Sequence, residues 1–274
     1  MDTELTPADR INFQCNICGQ ENEIFVVDLE RDKPSCQKCG SNVRLRSIIH
    51  LLSMELFQKT IPLFNFPENK NISGIGMSDW EGYAKILAKK VDYQNTYFHK
   101  HPRLDIKKIR DFNRTYDFII SSEIFEHIEY PVSPAFSNLR HLLNNQGFVL
   151  FSVPYIMSDK ETSEYFPDLY KYEIVREHGI PVLKNTTKDG ELQIFKELTF
   201  HGGEDTTLIQ TLKRFIFRAE DSVTLEMRLF TKDALINEFG KAGFTNLCFF
   251  EKKELKWGIL WRNPCGLPIV ARVG

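Results

Sequence analysis

Four cysteines near the start of the chain, Cys15-x2-Cys18 and Cys36-x2-Cys39, have 17 residues between the inner two. Thiolates at this spacing satisfy a tetrahedral Zn²⁺ and leave no coordination position for a substrate, so the chemistry expected of them is structural. Gly19 and Gly40 follow the second cysteine of each pair and permit tight knuckles in which backbone N–H groups turn toward sulfur. Ile24 to Val27 reads as a short strand between the pairs, and residues 1–43 are expected to form a zinc ribbon. So small a segment has little core of its own, and metal binding would supply much of its folding free energy. Cys248 and Cys265 stand singly, so the cysteines describe a metal site in a reducing compartment and not a disulfide framework.

A second stretch, Asn71 to Asp79, carries Gly74, Gly76 and Ser78, and Trp80 then opens a segment with Tyr83, Ala84, Leu87, Ala88 and Val91 on one helical face. A strand, a glycine turn and a helix start offer unobstructed backbone and free N–H groups to polar oxygens, which suits a nucleotide-like cofactor. A purely structural turn uses the same residues. A third constellation follows the apolar run Tyr116 to Ile120: Ser122 and Glu123 lie where open α/β sheets bind ligands, at the carboxyl end of a strand. Four residues further on, His127 has a side chain that titrates near neutrality when unperturbed and could deprotonate an acceptor; ordering the loop is its alternative use. His178 and His201 are rival bases, the latter beside Gly202 and Gly203.

The elements that must position these groups alternate. Leu45, Ile48, Ile49, Leu52 and Leu56 share one face of a helix beginning near Arg44, and Pro62 and Pro67 mark a connector after it. Asn95 to Phe98 is a second strand, Pro131 to Leu143 an amphipathic helix, and Phe148 to Val153 a buried strand. Val223 to Leu229, Phe244 to Phe250 and Leu267 to Ala271 read as further strands, with Thr231 capping a helix between the first two. The fold expected over residues 44–274 is a doubly wound, Rossmann-like α/β sheet of seven strands. Residues 155–222 interrupt its rhythm with prolines, aromatics and a Lys188-Asp189-Gly190 hairpin signal, and are expected to form a β-rich insertion over the acceptor site.

The order of these motifs resembles that of class I S-adenosylmethionine-dependent methyltransferases over residues 71–274. The Gly74 and Gly76 turn, an acid in Leu104-Asp105-Ile106, Ser122-Glu123 with Glu126-His127-Ile128, and Asn138-Leu139-Arg140-His141-Leu142-Leu143 followed by Gly147-Phe148 carry the resemblance. The chain departs from that pattern at Ser73, where an acid is usual, at Ser78, where a third glycine is usual, and at His99-Lys100, where the acid closing the second strand is missing. The resemblance implies S-adenosyl-L-methionine as donor, with Gly74, Gly76 and Ser78 against its amino-acid and ribose portions and Ser122 and Glu123 at the same edge. Asp105 would accept a hydrogen bond from the adenine amino group, or else cap the residues after it. With the four-cysteine ribbon, the motifs are similar to those of bacterial methyltransferases associated with sugar or surface-glycan modification. The implied acceptor is a small, sugar-like molecule methylated at oxygen or nitrogen, with His127 or His201 as base.

The chain has 274 residues, 42% hydrophobic and 26% charged, with 35 basic against 37 acidic side chains, a soluble globular balance. A net charge of −2 and the absence of an Arg/Lys-rich stripe argue against nucleic acid as acceptor, although RNA methyltransferases with zinc modules remain an alternative, as does a non-catalytic binding module. No stretch approaches the length of a membrane span, and a cytoplasmic protein is expected.

Overall fold

The computed structural model describes residues 5–109, 112–158, 161–201 and 224–274. At the amino end, β1 (Arg10–Gln14) and β2 (Glu21–Phe25) form an antiparallel hairpin, with a cysteine knuckle between them and the second knuckle beyond. Helix α1 (Val43–Phe57) follows directly, its first turn capped by the Asn42 side chain, which accepts from the Leu45 N–H. Its apolar residues Leu45, Ile48, Ile49 and Leu52 are all buried.

The main sheet is assembled from β3 (Asn69–Met77), β4 (Val91–Thr96), β5 (Tyr116–Ser122) and β6 (Leu143–Ser152), all parallel, with helix α2 (Glu81–Lys90) between β3 and β4 and α3 (Ser133–His141) between β5 and β6. The insertion contributes β7 (Tyr155–Ile156), β8 (Ser163–Glu164), β9 (Lys171–Glu177), β10 (Ile180–Thr186), β11 (Leu192–Phe195) and β12 (Phe200–His201), and β13 (Thr224–Leu225) follows it. The chain ends with β14 (Arg228–Thr231), α4 (Lys232–Lys241), β15 (Asn246–Phe249) and β16 (Ile269–Arg272). The sheet order is β15-β16-β6-β5-β3-β4, with β15 and β16 antiparallel to their neighbours. Strand order reverses between β3 and β5, where an open sheet of this kind forms its ligand crevice.

Among the described residues the sheet has six strands where the sequence suggests seven. The run expected at Val223 to Leu229 leaves it, because β14 pairs parallel with β7 and antiparallel with β8 beyond the end of β6. Its Arg228 side chain is buried and bonded to Glu164, which fixes that strand in a small sheet of its own. The segment at Leu104 to Ile106 contributes only an isolated bridge, between Arg103 and Tyr97.

Both faces of the sheet are covered, which is why β5 is apolar at consecutive positions. Phe118 and Ile120 point to one side, into a core shared with α1, α2 and the cysteine hairpin residues Ile11 and Phe13. Ile119 points to the other, with Phe136 of α3 and Leu235 and Phe239 of α4. Each such fully buried side chain contributes about 1.5–3 kcal/mol. A third core joins Phe166 and Leu183 of the insertion to Leu225 and Met227, which follow it. No helix among the described residues is long and apolar enough to cross a membrane.

Candidate active site and metal centre

The two knuckles bring Cys15, Cys18, Cys36 and Cys39 together, with all four sulfurs within 4.8 Å of one another. The Cys15–Cys39 and Cys18–Cys36 separations are 3.7 and 3.6 Å, close to the edge of a tetrahedron with metal–sulfur bonds of about 2.3 Å. Gly19 and Gly40 adopt positive φ, the conformation the knuckles were expected to need. Cys15 is held down to about 4, chiefly by its bond with Cys39, while burial pushes Cys18 up to about 11. A bound dication would let all four ionise. The surroundings already suit a negative cluster, because the Asn22 amide donates to Cys36 Sγ and the fully buried Arg46 guanidinium lies beneath, bonded to Ser35, Ser41 and Gly258.

At the carboxyl edge of the sheet, Gly74 and Gly76 lie inside β3 and not in the turn after it. Neither makes room for a ligand with its missing side chain. A Cβ on Gly74 would fall 2.1 Å from the Phe118 ring, and one on Gly76 would fall 1.9 Å from the Tyr93 hydroxyl and 2.1 Å from Asp79. The glycines are demanded by packing inside the protein. The turn itself is made by Ser78, which holds φ +54°, a conformation glycine takes more easily, while its N–H donates to Thr96. Asp79 beside it is buried, bonded to Tyr93, and carries one oxygen, Oδ1, with no hydrogen-bond partner. Burial pushes its carboxyl up to about 7.

Ser122 and Glu123 sit at the end of β5 as expected, but their side chains are engaged by arginines from the N-terminal region. Glu123, in a left-handed conformation with φ +57°, accepts from Arg31 Nη2 at 2.6 Å and Nη1 at 3.0 Å, and from Ser152 Oγ at 3.1 Å. Burial alone would raise its carboxyl; the Arg31 and Arg44 charges override this and hold it at about 2. Arg44 donates to Ser122 Oγ and, from Nε, to Asp32 at 2.6 Å. Arg31 and Arg44 have no signal in the motifs themselves, whereas Asp79 closes the glycine stretch without having been assigned a role. The positions of the arginines, between the second strand of the ribbon and the first turn of α1, are the trace that could have found Arg31 and Arg44.

His127 lies in the short helical turn after β5, with its side chain 13% exposed. Its Nδ1 is 2.9 Å from the Leu225 carbonyl, which can only accept, so Nδ1 carries the proton and the basic lone pair of the neutral ring is on Nε2. Nε2 is 3.8 Å from Glu126, a fully buried carboxyl whose two oxygens have no hydrogen-bond partner. Burial and then the neighbouring Glu123 push Glu126 well above the usual carboxylate range. It too was absent from the expected site.

The backbone of His201 pairs with Thr224, one residue from the carbonyl that orients His127. His178 occupies a two-residue hairpin with Gly179, both at positive φ, and serves the turn between β9 and β10. Asp105 accepts from the Lys107 N–H at 3.0 Å, the capping use of that carboxylate. Of the insertion aromatics, Tyr155 and Phe166 are core, whereas Tyr172 reaches across to Glu129 with a 2.8 Å hydrogen bond.

A family described as a methyltransferase domain matches residues 49–248. No curated protein matches. Among solved structures, the chain is similar to a carbon methyltransferase, CurJ, at 14% identity and TM-score 0.45, covering 85% of this chain and 56% of that one. It is also similar to the sugar N-methyltransferase KedS8 from Streptoalloteichus, at 10% identity and TM-score 0.43, covering 83% and 86%. A third, an S-adenosylmethionine-dependent methyltransferase from Clostridium acetobutylicum, matches at 10% identity and TM-score 0.41, covering 75% and 86%.

Proposed function

The chain belongs to the methyltransferase-domain family and is an S-adenosylmethionine-dependent methyltransferase; we propose that it acts on oxygen or nitrogen of a small, sugar-like acceptor, with His127 as base. The observation that carries this reading is the fixed tautomer of His127, whose Nε2 lone pair lies beside Glu126 at the carboxyl edge of the sheet. The donor would lie across the ends of β3 and β5, against the backbone of Gly76 to Ser78 and beside Ser122 and Glu123, with Asp105 toward the adenine. The acceptor's lone pair attacks the methyl carbon, the sulfur–methyl bond breaks to leave a neutral thioether, and the acceptor's proton passes to Nε2. On this reading the described part of the insertion covers this edge. His127 supports that placement, because its orienting carbonyl belongs to the strand that returns from the insertion.

A hydroxyl or amino acceptor suits this base, since its attacking atom carries the proton that Nε2 can accept. The near-balanced charge does not favour RNA. The ribbon, on the same reading, holds one structural Zn²⁺ through Cys15, Cys18, Cys36 and Cys39. Screening sugar, sugar-nucleotide and RNA acceptors with isotopically labelled donor tests the acceptor class, and labelled RNA without labelled sugars would overturn it. With an acceptor in hand, His127→Ala should keep donor affinity and lower turnover about 10² to 10⁴-fold. Full activity in that variant would remove His127 as base, and an equal loss at His201 alone would move the base into the insertion.

A further inference from the structure

Two arginines of the N-terminal region enter the crevice where strand order reverses, and they differ in how much of their hydrogen-bonding capacity the protein uses. Arg31 is saturated: Nε donates to the Gly266 carbonyl at 2.8 Å, Nη1 to Asp32 and Glu123, and Nη2 to Glu123. Arg44 donates from Nη1 to Ser122 and from Nε to Asp32, and among the described residues its Nη2 makes no hydrogen bond. Its side chain is only 15% exposed, so that unused donor is a cationic group held in a largely dehydrated place.

The place is the crevice itself. Ser122 ends β5, and the Arg44 charge also reaches Asp79 in the turn that ends β3. Asp79 itself is turned inward, against the buried hydroxyls of Tyr93 and Tyr83. A cation with a free donor beside Ser122 matches the anionic end of a zwitterion. The methyl donor carries one: an α-carboxylate and an α-ammonium on the same carbon.

We propose that Arg44 is the carboxylate anchor of the methyl donor, so that the N-terminal module contributes a binding residue to the methyl-transfer site. Asp32 is the positioning residue. It belongs to the loop between the cysteine knuckles, where its own carbonyl accepts from Asn42 and its carboxylate holds Arg44 Nε. The module thereby supplies both the anchor and its orientation. The inference rests on the donor occupying the reversal of strand order, and the test separates the two.

Calorimetry on the full chain with S-adenosylhomocysteine and with its decarboxylated form, which lacks only the α-carboxylate, isolates the contact without any acceptor. The wild type should bind the carboxylate-bearing ligand about 10 to 100-fold more tightly, the range for a charge-assisted hydrogen bond. Arg44→Met should bring that ratio close to one while leaving affinity for the decarboxylated ligand within about twofold, a change a merely structural arginine would not produce. Asp32→Asn should reduce the ratio part of the way. Equal affinity of the wild type for the two ligands would overturn the assignment of Arg44 even if Arg44→Met failed to fold. So would an equal loss on both ligands in Arg44→Met. Binding of neither ligand by the wild type would instead overturn the donor's placement.

Discussion

The methyltransferase sheet carries two additions, and they are attached in opposite ways. The N-terminal module has almost no core separate from the sheet: Ile11, Phe13 and Ile17 share one buried cluster with Phe118, Ile120 and Phe148. Its polar side is buried too, with Arg46 bonded to Gly258 and Arg31 to Glu123 and Gly266. The described part of the insertion instead keeps its own cluster around Phe166 and Leu183, and its three-stranded sheet exposes Ile180, Leu192 and Ile194. An addition that shares the core and locks a carboxylate at the site cannot be lost without altering the site. One with a separate small core can move or vary, which suits a cover that meets acceptors.

The largest effect expected from that difference is at the metal. Cys15→Ser, or chelation of the zinc proposed there, should destabilise the whole chain in one cooperative transition, since the ribbon's apolar residues are the sheet's. Elemental analysis should find about one zinc per chain in the wild type, the stoichiometry of a four-thiolate site. A ribbon that melts separately while donor affinity stays intact would break the comparison.

Next is the seam. Arg31→Met removes the bidentate partner of buried Glu123, leaving Arg44 at 4.0 Å, and should cost about 3 kcal/mol, read from denaturant unfolding. The same pair sets an acid limb. Because Glu123 is held near 2, below its ordinary 4.5, its stabilisation is present above pH 4.5 and is lost as pH falls from there toward 2. That window corresponds to something on the order of 3 kcal/mol. Arg31→Met should flatten this limb, whereas an unchanged acid profile would mean that other carboxylates dominate acid unfolding.

How much of this was legible follows the same division. Local patterns carried the knuckles, the continuous apolar run of β5 and the capping of α1, because each depends on residues close in sequence. The glycines at 74 and 76 were visible, but their reason was not: Phe118, Tyr93 and Asp79 come against them only through strand pairing. Arg31 and Arg44 were unmarked because their partner, Glu123, is about eighty to ninety positions away and no periodicity connects them. Glu126 reads in sequence like any acid beside a histidine, because its burial without partners is set by three-dimensional packing. The missing seventh strand was a matter of pairing partner, which an alternating pattern at Val223 to Leu229 does not specify.

The smallest effect tests the insertion's contact with the sheet. The Tyr172 hydroxyl donates to Glu129 Oε1 at 2.8 Å, two residues beyond His127, and the tyrosine is 39% exposed. Burial and then Glu129 push that hydroxyl up to about 12, so it stays a donor throughout the working pH range. A single half-exposed hydrogen bond contributes about 0.5–1.5 kcal/mol at most, and here water can replace it on both sides. Tyr172→Phe should therefore leave the unfolding midpoint nearly unchanged and donor affinity untouched, while raising KM for the acceptor with kcat retained, the signature of lost uniform binding. A drop in stability comparable to that of Arg31→Met would mean that the insertion is fastened to the sheet as firmly as the ribbon. The separate core around Phe166 would then be an extension of the main one, and the contrast between the two additions would not hold.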